Sequence, residues 1–251
     1  MKPLAYPYVP DGRVSFMLAS SDMSQEMIIS LTIFVPELIS LTALENLPDP
    51  VNKHRDMQLV NVAEGVFIHA PKMDRPTVQK MKDLGFIMVA GEKNPSLKYP
   101  YDIPYNAAVI GDHVFLNTHF ADPVLMDWLL KTGKKPCHVK QGYAKCAVSI
   151  LNFDAIITSD KGIFNAARAH HKDVLFINPQ EKIWIKSYNY GFIGGCTGLI
   201  SKEEMAFTGD FDKLDDAEII EKFLTKYGIR PVSLSQGFVH DLGSLIPLCS
   251  V

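Results

Sequence analysis

Three groups of side chains in this sequence are suited to chemistry. The run His54-Arg55-Asp56 sets a ring that exchanges a proton near neutrality two positions before a carboxylate, which can accept the forked donors of a planar cation in two parallel hydrogen bonds. Cys146 has Lys145 beside it and Lys140 a few residues back. Cations close to a partly exposed thiol favour the thiolate, the nucleophilic form. Cys196 lies in Gly194-Gly195-Cys196-Thr197-Gly198, where glycines can bring backbone N–H groups up to an anion. Each group also has a plainer reading. The histidine and aspartate suit a loop and a local backbone cap, free cysteines are mostly small buried hydrophobes, and glycines let a chain turn tightly. His170 and His171 sit at a helix end, where positive charge is favourable. Neighbouring residues on a helix diverge, so no metal site is assigned to them.

The elements that must position these groups follow one pattern. A short apolar hairpin leads to a capped helix and then to a third strand. The clearest copy has strands at 147–151 and 155–158, with a helix opened by Asp160. Others run 59–62 and 66–69, Asp74, then 86–90; 107–110 and 113–117, Asp122-Pro123, then 137–140; and 197–200 and 205–208, Asp215 with Glu218 as a capping box, then 229–234. Residues 13–20, a helix capped by Asp22 with Gln25, and a strand over 38–44 make a unit lacking one hairpin strand. The missing strand is expected at 245–248, paired with 14–18. Asp56, Asn106, Lys145, Gly195 and Asp241 precede the hairpins at spacings of about 40 to 50 residues, the period of a radially repeated fold. Joined termini would leave few free sheet edges.

Composition excludes little beyond this. The chain has 251 residues, 47% hydrophobic and 21% charged, with a net charge of -3. That is enough to bury a substantial core, and it gives no basic footprint for nucleic acid. The apolar stretch at 27–44 is broken by Pro36-Glu37 and falls short of a bilayer span. Without a signal-like N-terminus, the expectation is a cytoplasmic protein that does not engage membranes. Its four cysteines, too few and wrongly spaced for a zinc site or disulfide framework, are expected as reduced thiols. No metal or cofactor is expected, and the oligomeric state is left open.

The segments His54-x-Asp56-Met57, Tyr105-Asn106-Ala107-Ala108, 139–146, 157–162, 188–195 and Asp241-x-Gly243-Ser244 together resemble the pentein, or guanidino-group-modifying-enzyme, fold. They resemble more closely an uncharacterised bacterial family assigned to that fold. The resemblance implies one five-fold pseudosymmetric α/β-propeller domain over residues 1–251, with 1–12 an irregular lead-in. It also implies that Asp56, Asn106, Lys145, Cys146, Gly195, Cys196 and Asp241 surround one central channel. Cys146 and His54 are then the candidate catalytic pair, for attack on a guanidinium carbon and proton transfer. Asp56, Asn106, Lys145, Asp241 and Cys196 are the candidate substrate-binding groups, and the partner is a small guanidino or amino-acid-like molecule.

One departure stands out. The enzymes of this fold carry their cysteine in the last repeat, just before a Pro-Leu pair, and here that position falls near Gly243, beside Ser244. The resemblance therefore also admits a non-catalytic pentein that binds a macromolecule, as ribosomal anti-association factors do, or that senses a small cation.

Overall fold

A computed structural model describes residues 2–251. Four of its six sheets share one construction, an antiparallel hairpin followed by a helix and a third strand parallel to the second, and a fifth reproduces it with strands from both chain ends. The hairpins Leu59–Ala63/Val66–His69, Ala108–Ile110/His113–Leu116, Val148–Ile150/Ala155–Thr158 and Thr197–Ser201/Glu204–Phe207 are followed by Ile87–Ala90, Lys135–His138, Asp173–Phe176 and Arg230–Ser233. The fifth sheet uses both chain ends. Ile246–Ser250 lies antiparallel to Val14–Ser20, which lies parallel to Glu37–Leu41, and Lys2–Pro3 pairs antiparallel with the other edge of Ile246–Ser250, so the lead-in expected to be irregular contributes a short strand.

Side-chain caps start the helices. In α2 (Arg75–Asp83), α3 (Pro123–Lys131) and α4 (Lys161–Ala169) the carboxylates of Asp74, Asp122 and Asp160 accept first-turn N–H groups at 2.8–3.2 Å, satisfying donors that the helix itself cannot. Two caps differ from the sequence reading. Helix α1 (Gln25–Phe34) is capped by Ser24, because the Asp22 carboxylate is paired with Lys53 at 2.6 Å. Helix α5 (Ala217–Lys226) begins after Asp216, whose carboxylate accepts from Asn178 N and Gln180 Nε2 instead of closing a capping box.

Two strand bounds also shift. The third strand of the 108–138 unit ends at His138, and the strand after α1 ends at Leu41. The loop at 92–105 is partly buried. Asp102, Ile103 and Tyr105 are buried, and the Tyr105 hydroxyl donates to Lys93 O and Asp122 Oδ2. A short parallel pair, Ile183–Trp184 with Val239–His240, also appears where no strands were expected.

The apolar interior falls into three clusters of buried side chains. The segments just ahead of the hairpins are irregular or 3₁₀ turns, including Arg55–Met57 and Ile193–Cys196. They carry the polar residues inward. No helix among the described residues is long and apolar enough to cross a membrane.

Candidate functional site

His54, Asp56 and Cys146 come together from two of these turns. Each offers a donor or acceptor atom, and the three atoms lie within 4.8 Å of one another. All three residues are buried. Asn106 holds the cysteine in place from a third turn, its amide Nδ2 donating to Cys146 Sγ at 3.2 Å and to Met57 Sδ at 3.1 Å while its Oδ1 accepts from Lys145 N at 2.6 Å. The same trio is a mixed nitrogen, oxygen and sulfur set of the kind zinc takes, close enough together to hold such an ion.

Asp241 joins from the last turn. Its Oδ2 accepts from Phe192 N at 2.8 Å and its Oδ1 from Gly243 N at 3.2 Å, with His54 Nδ1 at 3.8 Å from Oδ1. Two glycines make this approach possible. A Cβ on Gly195 would run into the Asp241 carboxylate, and one on Gly243 into His54. Gly243 also has φ +80°, a region costly for other residues.

Beneath the trio lies a polar support. Ser244 Oγ donates to Asp56 Oδ2 at 2.6 Å, with Gly194 O at 2.8 Å as a second acceptor, and it accepts from Lys145 Nζ at 2.9 Å. Arg55 is fully buried and spends its Nε and Nη2 on the carbonyls of Leu242, Gly243 and Ser244, stapling the last turn to the first. Three buried polar atoms here have no hydrogen-bond partner in the protein: His54 Nδ1, Asp56 Oδ1 and Arg55 Nη1. Such orphans are rare, and these three cluster at the trio.

The electrostatics follow from burial. Desolvation pushes the Cys146 thiol well above its ordinary pKa, and the carboxylates of Asp56 and Asp241 add to the rise. Burial likewise lifts Cys196, with Asp241 adding to it, and lifts the Asp241 carboxyl against the lowering effect of His54. Burial lowers Lys145, against which Asp56 pulls up, and it brings Arg55 down to about 10. The resting sulfur is therefore a neutral thiol. This reverses the expectation that Lys145 and Lys140 would favour a thiolate: the Lys145 ammonium is hydrogen-bonded to Ser244 and Val148 O, and Lys140 is exposed.

A cavity of about 290 Å³ reaches His54, Cys146 and Asp241 from solvent. Its walls are largely apolar, with Tyr143, Ile185, Tyr188, Tyr190 and Phe192 among them. The Tyr143 hydroxyl donates to the buried Asp102 at 2.6 Å, which fixes that ring.

Of the expected site residues, Cys146, His54 and Asp241 line the cavity, while Asp56, Asn106 and Lys145 lie behind them and support them. Cys196 stands apart. Its thiol is fully buried and donates to Ile193 O at 3.1 Å, as a structural cysteine does. Gly195 N donates to Cys146 O and Phe192 O, so it is not offered to an anion; the glycines there serve close packing. Arg55, Ser244 and the aromatic wall were quoted only within sequence motifs and given no role there. Arg55 sits between two flagged residues and Ser244 beside Gly243, but nothing local distinguishes a buried arginine or serine from an exposed one.

A family profile described as "Family of unknown function (DUF6873)" matches residues 18–246, and the chain belongs to that family. No curated protein is matched by the sequence. Among solved structures, the chain is similar to the C. jejuni C315S agmatine deiminase with substrate bound, at 12% identity and TM-score 0.52, covering 96% of this chain and 95% of that one. It is also similar to SxtG, an amidinotransferase from Microseira wollei in the saxitoxin biosynthetic pathway, at 13% identity and TM-score 0.50, covering 91% and 90%. The shared fold is the pentein fold.

Proposed function

We propose that this member of the DUF6873 family is a cysteine-dependent hydrolase or amidinotransferase acting on a small guanidino or amidine compound. In this reading the five units form a five-bladed propeller, and the turns that precede the hairpins ring a central channel. The observation that carries the proposal is the meeting of Cys146, His54 and Asp56 within 4.8 Å at the inner end of a cavity that also presents the Asp241 carboxylate. A flat surface for a macromolecular partner would not need such a convergence.

Asp241, which faces the cavity, suits the N–H groups of a guanidinium, and the buried Asp56 carboxylate beside Cys146 adds negative charge behind it. The cation also activates the sulfur. A unit positive charge about 4 Å from the thiolate, at an effective dielectric near 20, stabilises it by about 4 kcal/mol, or roughly three pK units. The thiol proton passes to His54 as the sulfur attacks the central guanidinium carbon. Collapse of the tetrahedral adduct breaks a C–N bond, and the leaving amine takes that proton back from His54. The amidino carbon, now on sulfur, is then delivered to water in a hydrolase or to an acceptor amine in a transferase, which regenerates the thiol.

Incubating the protein with a panel of simple guanidines, then recording intact mass and released ammonia or urea, tests this. An amidino adduct that maps to Cys146 and disappears in Cys146→Ser is expected. Turnover that survives Cys146→Ser would overturn the assignment.

A further inference from the structure

The cavity walls name a substrate class more narrowly, on the premise of the guanidine reading above. We propose that the site takes a guanidine or amidine whose body is apolar and carries no carboxylate, so that free α-amino acids bearing a guanidino group are excluded.

The argument is one of charge and surface. Among the described residues lining the cavity there is no lysine or arginine. Two buried cations lie nearby, and neither lines the cavity. Lys145 donates to Ser244 Oγ, and Arg55 donates to the carbonyls at 242–244. An adjoining cavity shares His54, Ile185 and Asp241 and does hold Lys53 and Lys186, but these are ion-paired with Asp22 and Asp49. An incoming carboxylate would therefore lose its hydration, find no cation to replace it, and face Asp241.

The walls favour the opposite kind of body. Tyr188 and Tyr190 stand partly exposed at the mouth, with Phe192 and Ile185 further in. Aromatic faces attract a guanidinium on its way in and pack against an alkyl or aryl group behind it. A volume of about 290 Å³ is at the small end of ligand sites, which suits one short tail.

The test uses the full-length protein and two chain-matched probes, butylguanidine and 4-guanidinobutanoate. Their affinities are measured by calorimetry. In parallel, each is assayed for protection of Cys146 against the amidine electrophile 2-chloroacetamidine. Butylguanidine is expected to bind and protect at concentrations at least tenfold lower, and Ile185→Lys is expected to narrow that gap. Labelling of Cys146 with equal or better binding of the carboxylated probe overturns this inference and leaves the guanidine reading standing. Preferential binding of butylguanidine without labelling of Cys146 supports the ligand class and removes the covalent chemistry. Failure of both probes to bind overturns both.

Discussion

Ser244 Oγ donates to Asp56 Oδ2 at 2.6 Å across 188 positions of sequence. Because the same oxygen accepts from Lys145 Nζ at 2.9 Å, the hydroxyl couples a buried ammonium to a buried carboxylate and leaves Asp56 Oδ1 as the unpartnered oxygen. Ser244 does so with φ +60°, a backbone conformation that costs a residue with a Cβ roughly 1–2 kcal/mol.

Two substitutions separate these effects. Ser244→Ala strips a partner from both buried charges while keeping the backbone strain, and is expected to cost about 1–3 kcal/mol. Ser244→Gly loses the same hydroxyl but relieves the strain, so it is expected to be the more stable variant by about 1 kcal/mol. Chemical denaturation of the pair measures this. A glycine variant less stable than the alanine variant would show that the strain is not real.

Gly195 tests how tightly Asp241 is seated. A methyl group at residue 195 would occupy the space of the carboxylate, forcing it off Phe192 N. Gly195→Ala is expected to lower stability by about 1–3 kcal/mol, the usual cost of overpacking, and to weaken guanidine binding at the same time. Unchanged binding affinity in a folded Gly195→Ala protein would remove Asp241 from the site.

Asp241 also predicts a pH dependence. Its folded-state pKa is raised, chiefly by burial, so the native state holds this proton more tightly than the unfolded chain does. The penalty is absent below the unfolded value of about 3.9, grows as pH rises from there through the folded value, and is complete above it. Asp241→Asn gives up one of the two acceptors for Phe192 N and Gly243 N at every pH, but its Tm relative to wild type is expected to be higher at pH 7 than near pH 4. A variant equally destabilised at both values would contradict the sign.

The fold was more legible in the sequence than the site, for a physical reason. Hairpins, caps and helix ends are set by neighbours a few residues apart, so alternation and Asp74, Asp122 and Asp160 marked them. A pairing of 245–248 with 14–18 was also readable, because two unpartnered apolar strands at opposite ends require each other, and the strands that pair are 246–250 and 14–20. Side-chain direction was not readable. Lys145 adjoins Cys146 in sequence, yet its ammonium is committed to Ser244, 99 positions away. The thiol feels Asp56 and Asp241 instead. The aromatic wall at 185–192 lies in a largely irregular stretch, where no periodicity shows which rings face inward.

The terminal pairing carries its own expectation. Deleting residues 1–20 removes the partner of Ile246–Ser250 and leaves an apolar strand edge open, so aggregation is expected. Size-exclusion chromatography with light scattering would reveal it. A monomer with an unaltered melting temperature would show that the terminal strand contributes no closure.

The central claim is that a cation in the cavity converts a neutral, unreactive Cys146 thiol into a nucleophile. Two electrophiles of equal size, cationic 2-chloroacetamidine and neutral 2-chloroacetamide, test it most directly when their rates of adduct formation are followed by peptide mapping at pH 7. After correction for their intrinsic rates with free cysteine, the amidine is expected to label Cys146 at least a hundredfold faster, well inside the roughly thousandfold that three pK units allow. It is expected to spare Cys137, Cys196 and Cys249. Equal corrected rates, or labelling that avoids Cys146, would contradict the account.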